Sequence, residues 1–551
     1  MKKWILLVIG VLGTCISHAH VGSSGVVLQQ NAGPYRVLVT IHPPEVIPGT
    51  AQISVFVENG GATQVMARPI YFRSGDEGAP SPDELQPVVG QMGQFEGIVW
   101  LMEGGSSSVQ LDIDGDKGKA ELIVPIVAVS TAQRDMPAGL GWTLGALGLL
   151  LLLLLVTVVG ASVSDGQLRP GQTMGPKHRK KRLVNMGIAL GCCLLILYGG
   201  SSWWDSWAAD YRQFMYKPLK AAGKVVQEDD QRLIQLTIDT TDFKVNRRGS
   251  ILSYLIPDHG KLMHLFLVRT PGLDGFAHLH PERADSTTFQ AYVPKLPPGK
   301  YLVYGDIVYY SGFTETLTDT IEIPALTSTV TEIRKTDPED TYVVTDPLNK
   351  PKQIPLDENV VICGSPGTKT SLKDGSYVVF EGKANQVFEA GKPYQLNFQV
   401  FTPDGQPAQL QPYLGMAGHA AIVRSDGSVY IHLHPVGTVS MASEMTLKNR
   451  IADTTRMYKR PDPKTFRDSI NRYVASLKSM PDSERETLLM KEMGMKVNAD
   501  GSGHAGMDHG SAISFPYAFP KAGQYRIFLQ VKRNGQVLTG IFDARVSEPT
   551  L

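Results

Sequence analysis

Apolar and polar residues alternate along most of this chain in short runs bounded by Gly, Pro, Asn and Asp, which is the signature of half-buried strands. Segments 35–41, 52–57, 98–102, 108–113 and 120–126 all read this way. Turn residues such as Pro43, Pro48, Gly49, Gly104 and Gly105 separate them. Residues 20–138 are therefore expected to form one β-domain. Residues 230–325 and 371–548 are expected to form two more, joined by an Asp-, Thr-, Pro- and Lys-rich linker at 326–370. The last is interrupted by an insertion at 443–512, where the periodicity changes to helical over 469–477 and 483–493.

Two segments depart from this alternation. Residues 141–163 contain the unbroken leucine run 149–155, and residues 183–200 are nearly as apolar. Each is long enough to span a bilayer, the second with little tilt. The basic run Lys177-His178-Arg179-Lys180-Lys181-Arg182 lies between them, and Trp203, Trp204 and Trp207 follow as an interfacial belt. An excess of Lys and Arg in a short loop marks the cytoplasmic side. Loop 164–182 is thus expected inside, with 20–140 and 201–551 outside and 201–229 as a connector.

Residues 1–19 read as a secretory signal, with Lys2 and Lys3, an apolar stretch, and Ser17-His18-Ala19 as the cleavage site. Cleavage there leaves His20 as the mature N-terminus. The expected location is a bacterial inner membrane, with the lipid bilayer as one partner and both flanking regions on the periplasmic side. The expected fold is mainly β, with three immunoglobulin-like or cupredoxin-like β-sandwich domains plus two transmembrane helices.

Composition adds limits. A chain of 551 residues is too long for one core. Its 53 Lys and Arg balance 53 Asp and Glu, so no electrostatic case exists for nucleic acid. Cys192 and Cys193 fall in the second apolar segment and Cys15 in the signal. Only Cys363 is left outside, which excludes an intrachain disulfide between exported domains.

The chemistry lies in a repeated module. Met263-His264, Arg269 and Phe276-Ala277-His278-Leu279-His280-Pro281 are matched by Gly418-His419, Arg424 and Tyr430-Ile431-His432-Leu433-His434-Pro435. Gly299-Lys300-Tyr301 and Gly523-Gln524-Tyr525 then open a later strand in each copy. Strand side chains alternate, so His278 shares a face with His280, and His432 with His434.

Three readings stay open. In one, His264, His278 and His280, with Met263 or His259 nearby, hold a metal, and His419, His432 and His434 do the same. In another the histidines are structural, bonded to strand ends and to Asp306. In the third, His and Arg269 recognise an anion or a peptide. Imidazole with thioether suits copper, and an all-histidine site also suits zinc. The second copy adds Met416, Met441 and Met445, and a Gly-rich segment with His504, Met507 and His509 reads as a trap for Cu(I) or Ag(I). Met480, Met490, Met493 and Met495 crowd the insertion, and those on its helices also read as core filler.

The run Asp258-His259-Gly260-Lys261-Leu262-Met263-His264, the H-L-H-P runs and the Gly-x-Tyr strand starts resemble the YtkA-like domain of bacterial envelope proteins. The resemblance covers both repeats, implies a small exported β-sandwich and carries an association with copper handling. The extra N-terminal domain, the two spans and the 443–512 insertion depart from it. A mature N-terminal His20, with His42 as the other histidine of that domain, resembles the copper brace of CopC-like carriers.

No G-x-S-x-G, P-loop or C-x-x-C is present, so a binding protein is expected and not an enzyme. The expected role is binding copper or a related soft metal for delivery, buffering or sensing, with an envelope protein as a further partner. The alternative is a non-metal adhesion or assembly module with structural histidines.

Overall fold

The computed structural model describes residues 25–133, 136–228, 231–241, 251–325, 334–348, 369–382, 386–453, 458–492 and 510–549. The signal segment 1–19 and Cys363 lie outside them. The fold is mainly β, with several sheets and two long apolar helices. It divides into two compact units: residues 130–217, which hold those helices, and the remainder, which holds every sheet.

In the helical unit, α1 spans Ala138–Ser162 and α2 spans Pro176–Phe214. Both are long and apolar enough to cross a membrane. The second helix is much longer than the apolar pattern implies. Pro176 starts it in the first turn, where proline is tolerated, and no further proline occurs before Pro218. It therefore continues through the basic run and the tryptophans for about 58 Å, roughly twice a hydrocarbon core. The link between the helices shrinks to 163–175. Gly160 is buried where they meet, and a Cβ there would lie 2.7 Å from the Met186 thioether.

In the other unit, eight strands from Val26 to Ala128 enclose a core that includes Tyr35, Val37, Val55, Leu111 and Val124. Strand Ala62–Tyr71 at its centre is less visible in the pattern, because Thr63, Gln64 and Arg68 interrupt its apolar residues.

The two repeats follow. The first occupies 221–348 and the second 369–549, and each has an inner and an outer sheet. In the first inner sheet, β1 (His264–Arg269) lies between β2 (Gly275–Leu279) and β3 (Gly299–Tyr309). In the second, β4 (His419–Arg424) lies between β5 (Tyr430–Leu433) and β6 (Gly523–Arg533). Registers correspond: His264 pairs with Asp306 across β1 and β3, and His419 with Gln530 across β4 and β6. Thr341–Val344, inside the expected linker, adds a strand beside β2.

These inner strands are apolar on both faces, as strands covered on both sides must be. In β1, Leu265 and Leu267 face the first repeat's own core, whereas Phe266 and Val268 face the second repeat. In β4, Ala420 and Ile422 face inward, while Ala421 and Val423 face the first repeat. The shared layer is held by two equivalent ring stacks. Phe276 of β2 stacks on Phe528 of β6 at 4.1 Å, and Tyr430 of β5 on Tyr304 of β3 at 4.2 Å. The repeats thus meet like the halves of a two-fold dimer, each offering the same patch.

The insertion carries three helices: α3 (Met441–Ala452), α4 (Pro463–Ser479) and α5 (Asp482–Glu492). The last two are the expected helices, α4 with longer ends and α5 one residue earlier. Asp462 caps α4 by accepting from Thr465 N–H at 2.9 Å. The first is capped by Ser440, which accepts from Ser443 N–H. The segment before α3 joins the N-terminal sheet unit: Val436 and Val439 pack against its core, and Gln29 N–H donates to Val436 C=O at 2.8 Å.

Candidate metal centre

At one end of the layer between the repeats the facing side chains change from apolar to histidine. On β1 the face runs Val268, Phe266, His264, and on β2 it runs Phe276, His278, then His280. The second repeat matches it with Val423, Ala421, His419 and with Tyr430, His432, then His434. His259 completes the group from the turn before β1. All seven histidines are buried, none more than 8% exposed. Neighbouring rings lie 4.5–5.3 Å apart along and across the strands: His278–His280 4.5 Å, His432–His434 4.7 Å, His264–His280 5.2 Å and His419–His434 5.2 Å. Directly opposed strand positions produce such spacings.

Two triads have ligand atoms within 4.8 Å of one another: His264, His278 and His280, and His259, His419 and His434. The first is the expected trio. The second differs from expectation, because His259 takes the place of His432. His432 lies between the triads, with ring centroids 5.1 Å from His264 and 5.2 Å from His419. The sites read as separate along the sequence are one cluster, because the repeats face each other.

The ring nitrogens divide into an outer and an inner set. Outer nitrogens are held by the fold. His280 Nδ1 lies 3.1 Å from Asp340 Oδ1, and His434 Nδ1 is 2.9 Å from Val439 C=O. His278 Nδ1 is 2.9 Å from Gln530 Oε1 and 3.2 Å from Tyr413 OH, and His264 Nε2 is 3.1 Å from Asp258 C=O. Inner nitrogens face one another: His264 Nδ1 and His278 Nε2 at 3.1 Å, His259 Nε2 and His434 Nε2 at 3.2 Å. Two nitrogens on a shared tetrahedral ion, each about 2.0–2.1 Å from it, lie roughly 3.3 Å apart.

His259 Nδ1, His280 Nε2, His432 Nε2 and both nitrogens of His419 have no hydrogen-bond partner among the described residues. A buried polar atom left unsatisfied costs about 1–3 kcal/mol. Five together would cost on the order of 5–15 kcal/mol, as much as the whole stability of a typical domain. His280, anchored through Nδ1 with Nε2 free, is held as ligating histidines are.

Burial pushes His264, His278, His419 and His432 well below the ordinary imidazole range, and neighbouring imidazoles add to this. His434 is lowered to about 4 for the same reasons, burial first. These five rings are thereby kept neutral at physiological pH, which is the form that binds metal.

One buried carboxylate, Asp258, and one half-buried, Asp306, lie beside the cluster without a Lys or Arg partner among the described residues. Asp258 accepts from Ala442 N–H at 3.0 Å, at the start of α3. Asp306 accepts from Tyr430 OH at 2.7 Å and Thr316 OH at 2.6 Å, and lies 3.8 Å from His432 Nδ1. Burial raises Asp306 to about 6. Asp337 and Asp340 also gather at His280, but their oxygens are already engaged. Asp337 binds Lys261 at 2.7 Å and accepts from Glu339 N–H, while Asp340 accepts from His280 N–H and Asp337 N–H. They orient His280, and most of their acceptor capacity is already taken up by the fold.

Other expected donors lie elsewhere. Met263 packs in the first repeat's core, its sulfur 3.4 Å from where a Gly305 Cβ would be. Arg269 is tied to Asp274 at 2.9 Å, and Arg424 likewise pairs with Asp426. Neither is available for an anion at the cluster. Asp306 was expected as a structural partner of the first trio, yet it lies beside His432 of the second repeat. His42 belongs to a strand of the N-terminal sheet, Tyr35–His42. His20, His504, Met507 and His509 lie outside the described residues.

Residues 222–325, 371–459 and 497–548 match a family described as a domain of unknown function, DUF8832. The match covers under half of the chain and takes in parts of both repeats. No curated protein matches the chain. Solved structures align with it at 9% identity. Dimeric latent PorU from Porphyromonas gingivalis has a TM-score of 0.13, covering 95% of this chain and 34% of that one. An endo-fucoidan hydrolase from glycoside hydrolase family 107 has a TM-score of 0.12, covering 92% and 43%. A protein from Corynebacterium diphtheriae described as membrane anchored has a TM-score of 0.14, covering 96% and 98%. This chain spans about a third of PorU and under half of the hydrolase. At these scores the alignments carry no argument about fold or activity.

Proposed function

We propose that the protein holds metal ions in the histidine cluster between its two repeats, and that it is a binding protein and not an enzyme. The carrying observation is the set of five buried ring nitrogens with no partner among the described residues, grouped with the rings of His264, His278, His280 and His434, which are anchored on their outer side. Structural histidines in a core would be bonded on both sides. Six ligands in two triads suit two ions, with His432 as a seventh shared or added to either.

Copper is the leading ion. Neutral imidazoles accept Cu(I) without much countercharge, and Asp258 and Asp306 supply charge for Cu(II). Zinc is the alternative. The repeats are read as YtkA-like, cupredoxin- or immunoglobulin-like sandwiches, and the N-terminal sheet unit as a third, more remotely CopC-like. With α1 and α2 spanning a bacterial inner membrane, a secretory signal at 1–19 would leave the cluster on the periplasmic side. That location fits delivery, buffering or sensing of envelope copper, with an envelope protein as donor or acceptor.

Metal analysis of the purified full-length protein in detergent is the direct test. About two copper or zinc ions per chain are expected, together with a rise in melting temperature on adding metal. A preparation that retains no metal, and whose melting temperature is unmoved by Cu(I), Cu(II) and Zn(II), would return the histidines to a structural role.

A further inference from the structure

A buried metal centre needs a route from solvent, and one cavity borders the cluster. It has a volume of about 170 Å³ and lies between the turn before β1 and the three helices of the insertion. Asp258 and His259 form one side, Met441, Met445 and Asn449 of α3 another, and Glu492 of α5 belongs to the rim. His259 is the one histidine among the seven that lines it, and its Nδ1 has no partner among the described residues.

Met441 and Met445 are four residues apart on α3, so they lie on the same face of the helix. Met441 is buried and Met445 half-buried, an arrangement graded from the surface inward. Helical methionines are ordinarily core filler, but these two border a cavity. Thioethers bind Cu(I) and Ag(I) and have little affinity for Zn(II). The duplication is also broken at this place. The second repeat has Leu414 at the position of His259, with the same backbone, φ 53° against 50°.

We infer that this cavity is the uptake port of the centre, where Met441 and Met445 take a soft monovalent ion and pass it to His259. The inference rests on the reading of the cluster as a metal centre. Transfer is ligand exchange on one ion: each new nitrogen bond replaces a thioether bond, and no electron or proton is required.

The test uses the metal-stripped full-length protein, with Cu(I) or Zn(II) presented on chromophoric chelators whose absorbance reports uptake. In the double variant Met441→Leu with Met445→Leu, volume is nearly conserved. Cu(I) uptake should slow by about tenfold or more, with unchanged final stoichiometry and an unchanged Zn(II) rate. Asn449→Trp, at an exposed position on the cavity wall, should slow both ions. A double variant that takes up Cu(I) at the wild-type rate, or is slowed equally for both ions, overturns the role of the thioethers. Wild-type rates in Asn449→Trp place the route elsewhere, and this arm still decides if the double variant fails to fold. If the wild type takes up neither ion, the metal centre itself fails and the port with it. If it loads normally while the variants show no slowing, only the port is lost.

Discussion

The first repeat carries Asp258-His259-Gly260 where the second carries Tyr413-Leu414-Gly415, on the same tight turn. His264, His278 and His280 recur as His419, His432 and His434. Asp306, beside His432, has Gln530 as its equivalent, beside His278. The repeats therefore agree in backbone and in six of seven rings, and differ in what surrounds those rings. An acid and an extra ring lie on one side, a phenol and an amide on the other. A duplicated pair placed face to face can share one polar layer and then specialise each flank of it.

The largest effect should come from removing ring pairs. His278→Ala with His280→Ala is expected to lower bound metal by about half, and His419→Ala with His434→Ala to remove the other half, as two triads imply. Metal analysis of each variant, with melting curves to confirm folding, checks this. Complete loss from either pair would mean one shared centre and would break the two-flank picture.

Acid should act next. An unfolded chain protonates its histidines below about 6.5, whereas the buried rings resist protonation. The unfolded state then binds more protons, so stability is retained above that pH and lost as pH falls toward about 4. With His434 at about 4, that ring alone accounts for on the order of 2 kcal/mol at pH 5. Asp306, raised to about 6, works in reverse: it takes up a proton on folding between its ordinary range and 6, and so opposes the loss with one group against several. Denaturant titration of the metal-free protein at pH 7.5 and 5.0 should show the decline. A flat profile would mean that the rings are not held neutral.

Making the flanks alike gives a smaller effect. Asp306→Asn should weaken metal binding by about 10–100-fold, as losses of outer partners do, and Gln530→Glu should leave it equal or tighter. Competition against a chelator measures both. Equal effects of the two changes would deny Asp306 a charge-balancing role.

Smallest of all, Arg269→Gln and Arg424→Gln should leave metal content unchanged. Each should cost no more than about 1 kcal/mol, since the Arg–Asp pairs are partly exposed. A loss of metal in either variant would bring back a role for these arginines at the cluster.

Much of the fold was legible in the chain. Alternation placed strands close to where they lie, Gly299 and Gly523 marked strand starts, and two apolar stretches marked α1 and α2. The missed elements have physical reasons. Strand Ala62–Tyr71 is broken by polar residues, and α3 begins at Met441, just ahead of the expected insertion at 443–512. At 326–370, residues that look like a linker include Asp337 and Asp340, which only the folded chain brings to His280. His259 was visible as a neighbour of the module but not as a member of the second triad.

By itself, the sequence determined which residues share a strand face, since that follows from a period of two, and which segments are apolar enough for a membrane. It also determined that six histidines recur in two matched sets. Only the tertiary structure decided that both sets meet in one buried cluster, that His259 joins across the repeats and that Met263 turns away. Local periodicity fixes the direction of a side chain from its own backbone. The contact between β1 and β4, more than a hundred residues apart, depends on how two apolar faces dock, and no local pattern encodes it.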